Sequence, residues 1–401
     1  MHWTSAVSDA PSFSEAVDQV AEQIAVSLDG ARPNLTLVFI SRHHAPSYFV
    51  APELFSSRLE SDLLIGCSAS GVIGAGREIE GRPGVAVCAG VMPKTGAHQF
   101  HFNQADMPDA DAAPDAWHNL IGLGPDSVRS FLLFPDPYTI QPDALIAGLD
   151  FAYPNANKVG GLVSGGGGPG TSALFADGKV HRSGVSGVAL TGDVSVDSVV
   201  AQACRPIGRP MIVTEAQENM LLGLDGEKAL NVLRNVFQGV SPQSQKLIRR
   251  SVQLGILSQQ AGESDANSEY VVRNVIGMIE ETGALAIGDV IREGQVVQFH
   301  VSDAQTAEQE LRASLEDYIL DDNRVPSSAL MFSCLSLGKR LHGQPDHDTA
   351  MFQDVVAPVP LAGFFSNGEI STTDGHTRLH GYTSSFAMFR ARSRQTARSR
   401  K

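Results

Sequence analysis

One pattern recurs along this chain and limits what it can fold into: an apolar strand, a Gly-x4-Gly turn, a polar stretch with a turn of its own, then a second apolar strand. Residues 361 to 389 show it most clearly, with Gly363 and Gly368 bracketing FFSN ahead of SSFAMF. An N-terminal copy has Gly66 and Gly71 around CSAS, after LLI and before GVAVCAGVM. A looser third copy has Gly160 and Gly165 around GLVS. Three unevenly spaced copies are too few for a solenoid, so the pattern predicts repeated lobes that each set a Gly/Ser-rich turn at a strand end.

With 401 residues and 42% hydrophobic content the chain can bury large cores, and at roughly 100 to 200 residues per domain two or three domains are expected. A balance of 30 Lys+Arg against 44 Asp+Glu, net -14, argues against nucleic acid or an anionic membrane as partner. Residues 390 to 401 reverse that sign with Arg390, Arg392, Arg394, Arg398, Arg400 and Lys401 and no acid, and read as a disordered, solubilising tail. Cys67, Cys88, Cys204 and Cys334 show no C-x-x-C spacing, which suggests neither a zinc site nor a disulfide framework and fits a reducing compartment. MHWTSAVSDAPSF lacks the basic and apolar regions of a signal peptide. No apolar run approaches the ~18 residues of a membrane span. A cytoplasmic location, away from membranes, is expected.

Residues 13 to 28 place Phe13, Ala16, Val17, Val20, Ala21, Ile24 and Leu28 at helical spacing, with Ser12 or Ser14 as N-cap and Gly30 as stop. Strands are predicted at 35 to 41, through LLIGC, at GVAVCAGVM, HQFHF and 129 to 136, and on both sides of Asp177-Gly178. GVIGAGREIEG reads as loop, and Pro206 and Pro210 restrict pairing in the strand-rich join that follows Gly192. In the second half, helices are predicted at 226 to 238 and 304 to 320, the latter capped by Asp303, and strands at 253 to 257, 270 to 279, 296 to 303, ALMFSCLS and PLAGFF. Strands and helices mix without strict alternation, so the fold class is α+β: two duplicated lobes of mixed β-sheet flanked by helices. The expected division is an N-terminal helical segment at 1–30, lobes at 31–215 and 216–390, and the basic tail at 391–401.

GGGGPG at 165 to 170 satisfies G-x-G-x-x-G, but a β-like segment follows it where a dinucleotide fold needs a helix N-terminus. GCSAS falls one residue short of a nucleophile elbow and also lacks the following helix, so a serine hydrolase is the weaker alternative. Ser68 and Ser70 read as turn-capping hydroxyls that can also hold a small polar ligand. In HGQPDHD, His342, Asp346, His347 and Asp348 group possible metal ligands, but Asp346 or Asp348 ahead of AMFQDVV fits a helix cap better, and no metal or cofactor is expected. Cys334 ends a strand near Lys339 and Arg340, where a buried inert thiol competes with a reactive one. His43, His44, His98 and His101 have no carboxylate at a telling spacing and read as surface or strand-end residues.

Taken together, HWTSAVSDAPSFSEAV, LLIGCSASGVIGAGREIEG with GVAV after it, RNVIGMIEETGALAIGDVIREGQVVQFHVSDA, FSCLSLGKRLHG with DHD, and LAGFFSNGEI with TRLHGYTSSFAMF resemble FIST proteins, a FIST N followed by a FIST C region over nearly the whole chain. The resemblance implies a sensory module that binds small ligands such as amino acids, found in bacterial signalling proteins and eukaryotic F-box proteins, and it brings no catalytic mechanism. Where the family often has a Gly-Arg-Gly-like run after the cysteine, this chain reads Cys334-Leu335-Ser336-Leu337-Gly338-Lys339-Arg340, so its arginine role falls to Arg340. No F-box, kinase, cyclase or receiver segment is visible, so signalling is expected to run through a separate protein partner. The expected ligand site is where the Gly/Ser turns face each other: Gly66, Cys67, Ser68, Ser70, Gly71, Gly161, Ser164, Cys334, Gly363, Ser366 and Asn367, with Glu369 for an ammonium and Arg340 and Arg378 for an anion. An interaction scaffold without a small ligand, and a serine or thiol enzyme, are the competing readings.

Overall fold

The computed structural model describes residues 1–257, 270–322 and 325–392; most of the expected tail lies outside the described residues. Contacts divide the chain into two compact units, one of residues 1–201, 312–379 and 383–401, the other of residues 202–311 and 380–382. These units cut across the linear halves expected from sequence, because the second is inserted into the run of the first.

The first unit contains three six-stranded sheets with one plan. In copy one, Leu35–Ser41 and Leu64–Ala69 are parallel, Val85–Val91 runs antiparallel to the former, and His2–Ser8 pairs with Val85–Val91 at the edge. Copy two repeats this with Val128–Pro135, Asn157–Gly161, Val185–Gly192 and Thr95–Phe102. Copy three repeats it with Ser328–Cys334, Leu361–Ser366, Thr383–Ala391 and Val194–Gln202. A helix follows each edge strand in sequence: Phe13–Ser27, Pro114–Ile121 and Ala304–Asp322. In copy three the second unit is threaded between the edge strand and that helix. The α+β class is therefore as expected, and the duplication runs to a third full copy around the Gly160 turn.

The parallel pairs explain the first glycine of each turn. A Cβ on Gly66, Gly160 or Gly363 would lie 1.7, 2.0 or 1.8 Å from the carbonyl oxygen of Val38, Leu133 or Met331 on the neighbouring strand. Only glycine lets the strands approach that closely. Next to these carbonyls stand Phe39, Phe134 and Phe332, one from each copy. With Phe364 they form a ring cluster with centroids 5.2 to 6.5 Å apart. Each ring contributes about 1.5–3 kcal/mol by burial, so the inner faces of the three sheets share one core. Helices cover the outer faces, as in the packing of Phe13, Val17, Val20 and Ile24 on Val38 and Val87, which is why these strands read as continuous apolar runs.

After its Gly-x4-Gly turn each copy sends a hairpin onto a neighbour's sheet. Gly71–Gly74 of copy one pairs with Leu361–Ser366 of copy three, Glu369–Thr373 of copy three with Asn157–Gly161 of copy two, and Leu174–Ala176 of copy two with Leu64–Ala69 of copy one. The exchange is cyclic. All three hairpins turn on two residues with positive φ, Ala75-Gly76, Asp177-Gly178 and Asp374-Gly375, the requirement of a type I′ turn. GVIGAGREIEG is thus a hairpin, not the expected loop: Ala75 at φ 51 or so would have been a stronger signal as Asn or Asp, and its measured φ is 47.

The second unit is a β-barrel. Cys204–Gln217 pairs with Val296–Ser302 on one side and Met220–Leu224 on the other, closing the order through Gln253–Leu257, Tyr270–Ile279 and Ala284–Ile287. Pro210 sits in the register break between Ile207 and Met211, the kind of irregularity where a strand tolerates proline. Leu221, Leu254, Leu285 and Phe299 fill the core beside helix Ala229–Gly239. Asp303 accepts from the Gln305 amide at 3.1 Å, as expected for the cap of the long helix.

Candidate functional site

The three Gly-x4-Gly turns meet in the first unit. Ser164 of copy two accepts from the Ser70 amide of copy one at 2.9 Å and donates its hydroxyl proton to the Phe365 carbonyl of copy three. One buried side chain thereby links all three repeats. Around it the Asn367 amide donates to the Leu162 carbonyl at 3.1 Å and the Leu162 amide to the Gly368 carbonyl at 2.8 Å. A Cβ on Gly161 would stand 3.0 Å from Ser366 Cβ, and one on Gly71 would stand 2.9 Å from the Phe365 ring.

The expected site residues separate by depth. Gly66, Cys67, Ser68, Gly71, Gly161, Ser164, Gly363, Ser366 and Glu369 are buried. Ser68 Oγ accepts from the Ala173 amide at 2.8 Å, and burial pushes the Cys67 thiol well up. Glu369 accepts from Ser366 Oγ at 2.6 Å and from Thr383 Oγ1 at 2.8 Å. Its carboxylate ties strands together and is not presented to a ligand's ammonium. Ser70 and Cys334 are half-buried, and Asn367 and Arg340 exposed. Segment 334–343 abuts the junction, since the Leu335 amide donates to the Ser366 carbonyl at 3.1 Å and Gly338 packs on Phe365. Ser70, Cys334, Ser336, Asn367, Lys339 and Arg340 therefore form the accessible polar rim. Arg378 sits on the hairpin seated on copy two, where Nη1 donates to Thr373 Oγ1 at 2.9 Å.

Sequence reading missed a second group beside this rim. Glu78 and Glu80, on the hairpin that copy one lends to copy three, meet the segment from Lys339 to Thr349. Glu80 Oε1 accepts from the Lys339 amide at 2.8 Å. Glu78 Oε1 accepts from the Asp348 and Thr349 amides at 3.1 and 3.0 Å, so Glu78 caps helix His347–Val355. That corrects the expectation that Asp346 or Asp348 caps it: Asp346 has a left-handed backbone and turns its Oδ1 to the Glu78 amide at 2.5 Å. Asp348 Oδ1 instead lies 2.8 Å from His347 Nδ1 and 3.3 Å from His342 Nε2, and Oδ2 accepts from Ser384 Oγ at 2.7 Å. The two imidazoles stack with centroids 3.6 Å apart.

Electrostatics split this pair of carboxyls. Burial and the neighbouring Asp348 charge push Glu78 well above the usual carboxylate range. Burial works the same way on Asp348, but hydrogen bonds from His342, His347 and Ser384 outweigh it and hold the group low. Asp348 carries the charge and Glu78 the proton, the sort of divergence that clusters at functional sites. The period-2 pattern of REIE, with Glu78 and Glu80 on one face, was the available sequence signal.

Family models match the chain as a FIST N domain over residues 34–227 and a FIST C domain over residues 229–372. The chain belongs to the FIST family. FIST domains are regarded as small-ligand-binding sensory domains of signal transduction. An uncharacterized protein of Mycobacterium tuberculosis is 36% identical over 383 residues, covering 96% of this chain and 98% of its own. An uncharacterized protein of Mycobacterium bovis is 33% identical over 381 residues, covering 94% and 96%. A crystal structure of a cyanuic acid hydrolase from A. caulinodans covers 98% of this FIST chain and 99% of its own at 10% identity, with a TM-score of 0.31 too low to bear on fold or activity. Among the described residues no helix is long and apolar enough to cross a membrane.

Proposed function

We propose that this FIST protein is a sensor that binds a small polar ligand of amino-acid type at the rim of the three-turn junction and signals through a separate protein partner. The Ser164 hydroxyl carries the reading, because it joins the Ser70 amide to the Phe365 carbonyl. A ligand that engages Ser70 or Asn367 shifts a turn whose movement the other two repeats must follow. Lys339 and Arg340 supply positive charge for a carboxylate, and Glu80 offers a carboxylate for an ammonium. Isothermal titration against a panel of amino acids tests it. One member should bind, and Ser70→Ala with Asn367→Ala should weaken it about tenfold, the loss of one or two hydrogen bonds to a charged ligand. No heat from any member with folded protein removes the amino-acid version.

One observation favours an interaction scaffold as second reading. On strand Tyr270–Ile279 of the second unit, Ile276 and Met278 point the same way and are 62% and 52% exposed, an apolar surface of the kind that meets another protein. Ile276→Lys with Met278→Lys should abolish recovery of a signalling partner while leaving amino-acid titration intact. Ser68 supports the enzyme reading least, since its hydroxyl is buried and held by the Ala173 amide.

A further inference from the structure

The loop between the short helix Lys339–His342 and the helix His347–Val355 brings two imidazoles and a carboxylate to one point inside the first unit. Gly343 and Asp346, both with positive φ, fold the chain back so that His342 returns onto His347. We propose that His342, His347 and Asp348 bind one first-row divalent metal ion, Zn2+ by preference, with water or the Glu78 carboxylate completing its shell.

Spacing is the first argument. Zinc–ligand bonds of about 2.0–2.2 Å place neighbouring ligand atoms of a tetrahedral shell about 3.3 Å apart. Asp348 Oδ1 stands 2.8 and 3.3 Å from the two ring nitrogens, and the three ligand atoms lie within 4.8 Å of one another. Side-chain exposures of 4% for His342, 11% for His347 and 3% for Asp348 distinguish the group from surface clusters. The rings, stacked 9° from parallel, must splay for both lone pairs to face one ion. Replacing two hydrogen bonds to a single oxygen with two metal bonds supplies the drive for that rotation.

Glu78 is the second argument. Its Oε2 is buried without a hydrogen-bond partner among the described residues, while Oε1 holds the amides of Asp348 and Thr349. An unpaired buried carboxyl oxygen is costly, and a metal ion or its bound water satisfies it. Supporting contacts are already in place: Ser384 fixes Asp348 Oδ2 at 2.7 Å, as outer partners orient ligating carboxylates elsewhere. Two imidazoles with one or two carboxylates favour Zn2+ or Fe2+ over Mg2+ or Ca2+, which prefer all-oxygen shells. The site stands independently of any amino-acid ligand.

The full chain, stripped with EDTA and dialysed, is titrated with Zn2+ against a chromophoric chelator. One ion per chain should bind with submicromolar Kd, and Co2+ in its place should show visible d–d bands of a low-coordinate site. His342→Gln and His347→Gln should each weaken binding about tenfold or more, while His118→Gln on helix Pro114–Ile121 leaves it unchanged. No stoichiometric uptake by folded protein at micromolar concentration overturns the proposal, as does uptake that survives either substitution at full strength. Should a histidine variant fail to fold, Asp348→Asn and the wild-type cobalt spectrum decide by the same criteria.

Discussion

Gly363→Ala probes the threefold plan directly. Its Cβ would lie 1.8 Å from the Met331 carbonyl oxygen, 2.7 Å from the carbonyl carbon and 2.9 Å from the amide nitrogen, whereas ordinary contact begins at 3.4 Å. The strands must part by roughly 1.6 Å, which the packed core on one face and the lent hairpin on the other oppose. That breaks about two ladder hydrogen bonds at about 1 kcal/mol each and leaves buried groups unpaired at about 1–3 kcal/mol apiece, so the cost is about 4–8 kcal/mol. A domain holds only about 5–15 kcal/mol. Both tryptophans, Trp3 and Trp117, are buried in the first unit, so their fluorescence in urea follows that unit without the barrel. Gly66→Ala and Gly160→Ala, against carbonyl oxygens at 1.7 and 2.0 Å, should behave alike. Gly167→Ala, with nothing within 4 Å, should stay within about 0.5 kcal/mol of wild type. A Gly363→Ala protein that unfolds within about 1 kcal/mol of the parent would refute the close-approach argument.

Two further perturbations test neighbouring claims. Ser164→Ala removes one donor and one acceptor at the junction and strands the Ser70 amide and the Phe365 carbonyl, a cost of about 2–4 kcal/mol in the same tryptophan-monitored titration; an unchanged urea midpoint would show that the turns are held by other contacts. His101 is pushed down to about 4 by burial and then by His181, with which it stacks at 3.7 Å, against the pull of Asp177 and Asp106. The unfolded chain takes up this proton near 6.5 and the folded chain resists, so stability falls as pH drops from about 6.5 towards 4 and levels below that. For a half-buried ring the screened loss is about 1–2 kcal/mol, and His101→Gln should flatten that part of the profile; parallel wild-type and variant profiles would contradict the assignment.

The repeat was legible because a glycine forced by backbone contact leaves a mark that no neighbouring packing can erase. Gly66, Gly160 and Gly363 each face a carbonyl across a parallel pair, and that geometry is a property of the strand itself. Helix Phe13–Ser27 and strands Leu35–Ser41 and Ser328–Cys334 were legible for a similar reason, since one periodic face or one apolar run decides them locally. Strand His2–Ser8 was missed because an edge strand depends on Val85–Val91, far along the chain. The compact units escaped for the same cause: inserting a barrel between Val194–Gln202 and Ala304–Asp322 alters neither segment's composition.

The site obeys the same division. Sequence pointed to the turns, and the structure brings Ser70, Ser164 and Phe365 together there, but it could not say that Ser366 and Glu369 spend their polar atoms on each other and on Thr383. Nor could it pair Glu78 with Asp348, because 270 residues separate the two partners of that contact. The pairing exists only because copy one lends its hairpin to copy three. Had each repeat kept its own hairpin, Glu78 would sit on the sheet of Leu64–Ala69, and the N-terminus of helix His347–Val355 would lack its cap. The cyclic exchange is thus what assembles the acid and imidazole group. Any ligand or ion that binds there also reports on whether the three repeats are correctly interleaved.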